Sequence, residues 1–276
     1  MPSPVLMGIV NVTSDSFSDG GRYADPAAAI AHGRRLLDDG ADVLDVGGES
    51  TRPGATRPVV AEELARVVPV IEALARDAVV SVDTMRTEVA RAAIAAGAQI
   101  VNDVSGGLAD PAILDVVAAA GVTYVAMHWR GHADTMQSQA AYDETGGVVE
   151  TVRAELQQRV EAARAAGIAD DRIVLDPGLG FAKTAEHNWQ LVAGLDRLAS
   201  LGLPLLVGAS RKSFLGHLLA DGAGTPRPVG DREAASTALT LLLAQRGVWC
   251  VRVHDVRASR DALRVLQRLA ETEETP

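Results

Sequence analysis

The sequence predicts a single-domain (β/α)8 TIM barrel covering residues 1–270. Eight short apolar runs recur at fairly even spacing, and each ends on a polar side chain. Stretches of Ala, Leu and Val at helical spacing separate them. Runs two, three, four, six and seven are nearly continuous Val, Ile and Leu, which suits parallel strands covered on both faces. No linker divides the chain. An open doubly wound sheet is the alternative architecture. No G-x-G-x-x-G follows the first run, which argues against its dinucleotide-binding form.

Strand one, VLMGIVN, ends near Asn11, and the Ser/Asp/Gly-rich loop TSDSFSDGGRYAD follows. Asp25 before Pro26 marks the start of helix one: the carboxylate accepts free amide hydrogens and proline fits the first turn. Gly40 stops that helix. Strand two, VLDVGG, carries Asp45 and opens at Glu49 into the loop ESTRPGATRP; helix two covers about 60 to 76. Strand three ends at Asp83, with Thr84 as the expected N-cap of a helix reaching Gly97. Strand four ends at Asn102 and Asp103, and Asp110-Pro111 opens helix four. Strand five ends at His128 and leads into a polar loop from Gly131 to about Gly147, then an amphipathic helix. Strand six ends DPGLGF from Asp176, and one helix is expected over 184–200. Strand seven ends GASRK at Lys212, followed by a short helix, a loop and a helix near 231–246. Strand eight ends at Arg252 and His254, a last helix follows, and the acidic tail 271–276 reads as frayed.

The formal net charge of −10 argues against a nucleic-acid surface. One cysteine, Cys250, cannot form an intrachain disulfide. It reads as a buried thiol, and a cytoplasmic protein is the simple expectation. No targeting segment is expected, and no apolar run approaches the roughly 18 residues that span a bilayer, so no membrane partner is expected. Of 26 basic residues only Lys183 and Lys212 are lysine. There are three asparagines (11, 102, 188) and three phenylalanines (17, 181, 214). Such rarity fits a GC-rich genome and marks the survivors as chemically hard to replace. Asn11, Asn102 and Lys212 fall at strand ends, and the phenylalanines fall in Gly/Ser-rich loops after strands.

The carboxyl ends of barrel strands form the active-site face. There Asp176 can accept two parallel hydrogen bonds from an amidine-like edge. The following glycines let backbone approach a flat ligand that Phe181 packs against. Read alone, the segment serves equally well as a helix cap with turn glycines; Asp83 and Asn102 on the same face favour the ligand. Lys212 is a compact cation with three donors, suited to ring carbonyls or nitrogens. Arg252 and His254, two apart, share a strand face and can meet one anion, or else pair with neighbouring carboxylates. The early loops carry Asp15, Asp19, Arg22, Arg52 and Arg57, and charged loops with Gly hinges have the make-up of active-site lids, though Asp15, Arg22 and Arg57 taken singly read better as solvated loop residues. Asp45 and Glu49 suggest a metal site less than a support for the barrel mouth and an anchor for their loop. The histidines lack zinc spacing, with His128 read as a wall residue.

Together these segments resemble the dihydropteroate synthases, pterin-binding TIM barrels of folate biosynthesis. The matching motifs are Gly8–Gly21, Asp45–Gly54, Ser81–Thr84, Asn102–Gly106, Asp176–Phe181, Gly208–Gly216 and Arg252–Asp255, in family order from strand one to strand eight. The resemblance implies condensation of para-aminobenzoate with 6-hydroxymethyl-7,8-dihydropterin pyrophosphate. It also implies Mg²⁺, a homodimer and sulfonamide sensitivity. Carried over by position, Asp83, Asn102, Met127, Asp176, Phe181, Gly208, Lys212 and Arg252 hold the pterin. Phe17, Thr51, Arg52, Pro53 and Ser213 hold para-aminobenzoate. Asn11, Arg252 and His254 hold pyrophosphate, with Asn11 at the metal. The catalytic set is Asp19, Arg52, Lys212, Arg252 and His254. A methyltetrahydrofolate-dependent methyltransferase of the same fold and a silent pterin-binding paralogue are the rival readings.

Overall fold

The computed structural model describes residues 3–13, 25–49, 57–132, 136–142 and 146–273. Its eight strands are β1 (Val5–Asn11), β2 (Val43–Gly47), β3 (Val79–Asp83), β4 (Ile100–Asp103), β5 (Thr123–Met127), β6 (Ile173–Asp176), β7 (Leu206–Val207) and β8 (Cys250–Val253). All pairings are parallel, in the order β6-β5-β4-β3-β2-β1-β8-β7. The ring closes between β6 and β7 through the single bridge Leu175–Leu205, where the Leu175 amide donates to the Pro204 carbonyl at 2.9 Å. Around it lie α1 (Pro26–Asp38), α2 (Val60–Leu74), α3 (Thr87–Ala95), α4 (Ala112–Ala120), α5 (Gly147–Ala165), α6 (Ala185–Ala193), α7 (Leu195–Ala199), α8 (Ser213–Leu218), α9 (Glu233–Gln245) and α10 (Val256–Glu273). The predicted TIM barrel is the fold observed.

Strand periodicity separates two cores. Leu6, Val10, Leu44, Val46, Val80, Val82, Val101, Tyr124, Leu175 and Val207 join the large cluster packed against the helices. Met7, Val43, Ile100, Val125, Val174, Leu206 and Cys250 form a separate cluster inside the ring. Stepping along the interior rows by twos reaches Asn11, Asp45, Asn102, Met127, Asp176, Gly208 and Arg252. The interior therefore changes from apolar to polar toward the carboxyl ends. Asp103, one residue on from Asn102, points the other way. It is fully buried and accepts from the Ser105 amide (2.8 Å), the Ser105 hydroxyl (2.7 Å), the Gly107 amide (2.7 Å) and the Tyr124 hydroxyl (2.8 Å). Burial raises its pKa, against the pull of those bonds.

Asp25 caps α1 as predicted, accepting from the Ala27 amide at 2.9 Å. Four expectations change. Thr84 does not cap α3. Its hydroxyl donates to buried Glu63 at 2.6 Å, and the helix begins only at Thr87. The Thr87 amide is met instead by Asp110 from the following loop, at 2.8 Å. The helix expected over 184–200 breaks at Gly194, where an added Cβ would lie 2.9 Å from Val149, too close for a side chain. Phe214 sits inside α8, buried and edge-on to Trp189, rather than in a loop. Finally, α10 runs through Glu273, so the first part of the acidic tail is helical; 274–276 lie outside the described residues. Among the described residues no helix is long and apolar enough to cross a membrane.

Because α3 has no side-chain cap of its own, Asp110→Ala should lower stability by about 1 kcal/mol. Urea denaturation with an unchanged slope would read that loss as a shift in midpoint.

Candidate active site at the barrel mouth

The polar interior residues meet through one buried carboxylate. Asp45 is 0% exposed. Its Oδ2 accepts from Arg252 Nε at 2.6 Å and from Asn102 Nδ2 at 3.0 Å. Arg252 also donates through Nη2 to Asp83 Oδ2 at 2.9 Å. So β2, β3, β4 and β8 are tied at their carboxyl ends by one arginine and three acceptors or donors. Of the two readings for Arg252, pairing with carboxylates is what the structure displays. Among the described residues its Nη1 is left to meet something else. Asn102 Nδ2 donates to Asp45, and among the described residues Asn102 Oδ1 is a buried acceptor without a partner, as is Asp45 Oδ1. A buried acceptor with nothing to accept is costly unless a ligand supplies the hydrogen.

Across the mouth, Asp176 is 7% exposed, and its Oδ1 accepts from the Gly178 amide at 2.7 Å. Gly178 has φ +66, and an added Cβ would lie 2.4 Å from the His128 carbonyl, so only glycine lets this turn press onto the end of β5. Lys212, at the start of α8, donates to the Leu179 carbonyl and stands 4.7 Å from the centre of the Phe181 ring. Phe181 packs with Met85, Val104 and Met127, giving an apolar wall beside the polar groups. Gly208 is buried against the Arg252 side chain, at 3.7 Å from an added Cβ.

Electrostatics follow from this enclosure. Burial pushes Asp83 up to about 7, against the pull of Arg252 and helped by Asp45. Burial also raises Asp176, opposed chiefly by Lys212. Burial brings Lys212 down to about 8, though Asp176 supports its charge. Burial opposes the Arg252 charge, but Asp45 and Asp83 outweigh it and raise its pKa.

Half-buried Asn11 closes β1 opposite Gly47. Ser210 Oγ accepts from the His254 amide at 3.2 Å and lies 2.9 Å from His254 Nδ1. A Ser210 hydroxyl that donates to Nδ1 would leave the ring proton on Nε2. Ser213 is exposed at the first turn of α8. Phe17, Asp19, Thr51, Arg52 and Pro53 lie outside the described residues, as do Asp15 and Arg22. The flanks of that second segment are ordered by ion pairs. Glu49 Oε1 takes Arg57 Nε at 2.7 Å, and Arg86 lies 3.6 Å from Glu49 and donates to the Pro58 carbonyl at 2.6 Å. Glu49 thus joins the two flanks of the segment 50–56, which lies outside the described residues. Among the described residues no three His, Cys, Asp or Glu side chains group as a metal site.

A model of pterin-binding enzymes matches residues 7–254. The chain belongs to the pterin-binding enzyme family. A dihydropteroate synthase of Mycobacterium leprae is 53% identical over 264 residues, 95% of this chain and 92% of the relative. A Xanthomonas albilineans dihydropteroate synthase, solved with 4-aminobenzoic acid, is 48% identical with a TM-score of 0.88, covering 99% of this chain and 94% of that one. A Yersinia pestis dihydropteroate synthase, solved with a sulfonamide drug complex, is 41% identical at a TM-score of 0.88, covering 98% and 95%. Within this pterin-binding barrel the structure brings Asp83, Asn102, Met127, Asp176, Phe181, Gly208, Lys212 and Arg252 to one mouth.

One group escaped sequence reasoning. His128, read as wall, lies buried between Glu155 and Lys183, with Nε2 2.7 Å from Glu155 Oε2 and Nδ1 2.9 Å from Lys183 Nζ. Arg130 completes the cluster on Glu155. The available signal was the scarcity of lysine.

Asp45→Ala should cost about 2 kcal/mol of stability, because it removes one of the two carboxylates that meet the Arg252 guanidinium. Chemical denaturation against wild type would show a near-zero loss if Asp45 were a bystander.

Proposed function

We propose that the chain is a dihydropteroate synthase. It would join para-aminobenzoate to 6-hydroxymethyl-7,8-dihydropterin pyrophosphate, giving 7,8-dihydropteroate and pyrophosphate in folate biosynthesis. The observation that carries this is the unmatched Asn102 Oδ1 among Asp83, Asp176 and Lys212, on a wall of Met127 and Phe181. Acceptors on one side and an ammonium on the other complement a pterin, whose amino and N3 edge donates while its O4/N5 side accepts.

In this reading Asp176, Asn102 and Asp83 take the donor edge and Lys212 the acceptor side. Asn11, Arg252 and His254 face the pyrophosphate. Neutralising that group eases breakage of its bond to the exocyclic methylene, and the electron-rich ring supports the resulting cation. The aniline nitrogen then attacks that carbon and gives up a proton. Phe17, Thr51, Arg52, Pro53 and Ser213 would hold the second substrate. Asp19 would stand near the developing positive charge, and Arg52 would organise the two early loops so that water is kept out.

Magnesium fits the donor chemistry at Asn11. This hard cation needs few protein oxygens when phosphate and water supply the rest, and the Asn11 carboxamide offers one. When bound it supplies charge neutralisation of the pyrophosphate. A homodimer, a cytoplasmic location and inhibition by sulfonamides, as mimics of para-aminobenzoate, belong to the same proposal.

The purified chain should release pyrophosphate only when both substrates are present, in a coupled assay. No release with para-aminobenzoate present sinks the reading. Lys212→Arg keeps the charge but replaces a point donor with a planar fork, and should weaken pterin binding by about 2 kcal/mol in calorimetry. Lys212 is protonated below about 8 and neutral above it. Pterin affinity should therefore fall as pH rises through that value, and the limb should vanish in Lys212→Met.

A further inference from the structure

Lys183 is 4% exposed, and no carboxylate bonds to it among the described residues. A buried amine without an ion-pair partner weakens a fold relative to an apolar residue of similar size, so packing alone does not account for it. Its neighbours do. Lys183 Nζ donates to the Phe181 carbonyl at 2.9 Å and to His128 Nδ1 at 2.9 Å. Since Nδ1 accepts, the ring carries its proton on Nε2, which donates to Glu155 at 2.7 Å. The chain Lys183–His128–Glu155 therefore has one direction of donation, and Arg130 fixes its far end through Glu155 Oε1 at 2.5 Å. Burial, with Lys183 nearby, brings His128 down to about 4, so the accepting tautomer persists at neutral pH.

The two lysines of the chain grip the same turn. Lys212 takes the Leu179 carbonyl from the mouth, and Lys183 takes the Phe181 carbonyl from behind. Between Phe181 and Lys183, Ala182 adopts φ +50, a conformation that L-residues hold only when their surroundings impose it. The Tyr142 hydroxyl secures the Ala182 carbonyl at 3.0 Å. This backbone turn is what sends Phe181 toward the mouth and Lys183 away from it.

We propose that Lys183, oriented by His128 and Glu155, is a positioning residue of the pterin pocket, setting the Phe181–Ala182 backbone that aims the Phe181 ring. It never touches the substrate, and the proposal rests on the pterin reading of this mouth. A carboxylate on α5, outside the barrel, is thereby linked to the face that reads the ring.

The test compares wild type, Lys183→Met, Glu155→Gln, Phe181→Ala and the double variant Lys183→Met/Phe181→Ala. Calorimetry with a free oxidised pterin gives affinity without turnover, and pyrophosphate release gives both KM values and kcat. Lys183→Met should weaken pterin about tenfold, the scale of one well-placed hydrogen bond. The KM for para-aminobenzoate should stay within about twofold, since no bond of Lys183 reaches that side. The double variant should bind pterin no worse than Phe181→Ala, because both changes act through the same ring. Additive losses, equal losses for both substrates, or wild-type affinity in Lys183→Met overturn the proposal. If Lys183→Met does not fold, Glu155→Gln decides: a loss confined to pterin supports the proposal, and no loss or an even loss overturns it. Wild type that binds pterin without releasing pyrophosphate overturns the synthase reading alone. Wild type that binds no pterin overturns both.

Discussion

Asp45 has no contact with solvent, so its charge must be met inside the ring, and the mouth is arranged around that requirement. Arg252 reaches past β1 to meet it and also holds Asp83 on the next strand. Asn102 donates an amide hydrogen to the same oxygen, which fixes its carbonyl as an acceptor left unmatched among the described residues. A single interior carboxylate thus sets the rotamer of one cation and the polarity of one amide. Both are then fixed before any ligand arrives, which lowers the cost of ordering them on binding.

Strand alternation explains why neighbouring polar residues do unrelated work. Asn102 faces the ring interior and offers an acceptor. Asp103, next in sequence, faces the helices and consumes its whole capacity on Ser105, Gly107 and Tyr124. The first leaves a hydrogen bond open for a substrate, and the second leaves none. Burial is nearly equal for the two, so exposure alone would not separate them.

Much of this was readable in the chain itself. Strand order, the polar strand ends, the Asp25 cap and the DPGLGF turn all rest on local pattern, and local pattern survives folding. What stayed hidden depends on partners far away in sequence. The amide of Thr87 is capped by Asp110 rather than by Thr84, because Glu63 claims the threonine. The glycine at the break, Gly194, is required by close approach to Val149. Lys183 gave only its rarity, since its meaning comes from His128, 55 residues away, and from Glu155. The residues assigned to para-aminobenzoate mostly sit in two early loops outside the described residues, so for them the motifs speak alone.

The ring of strands is unevenly fastened. Seven joints are continuous ladders, while β6 meets β7, a strand of two residues, through one bridge. Asp176 and Lys212 stand on opposite banks of that narrow joint, and the lysine already reaches across it to Leu179. A flat ligand held by both would span the gap like an extra rung. If the proposed pterin contacts hold, recognition and closure of the barrel share one place: the least hydrogen-bonded seam of the scaffold is the one that substrate would lace.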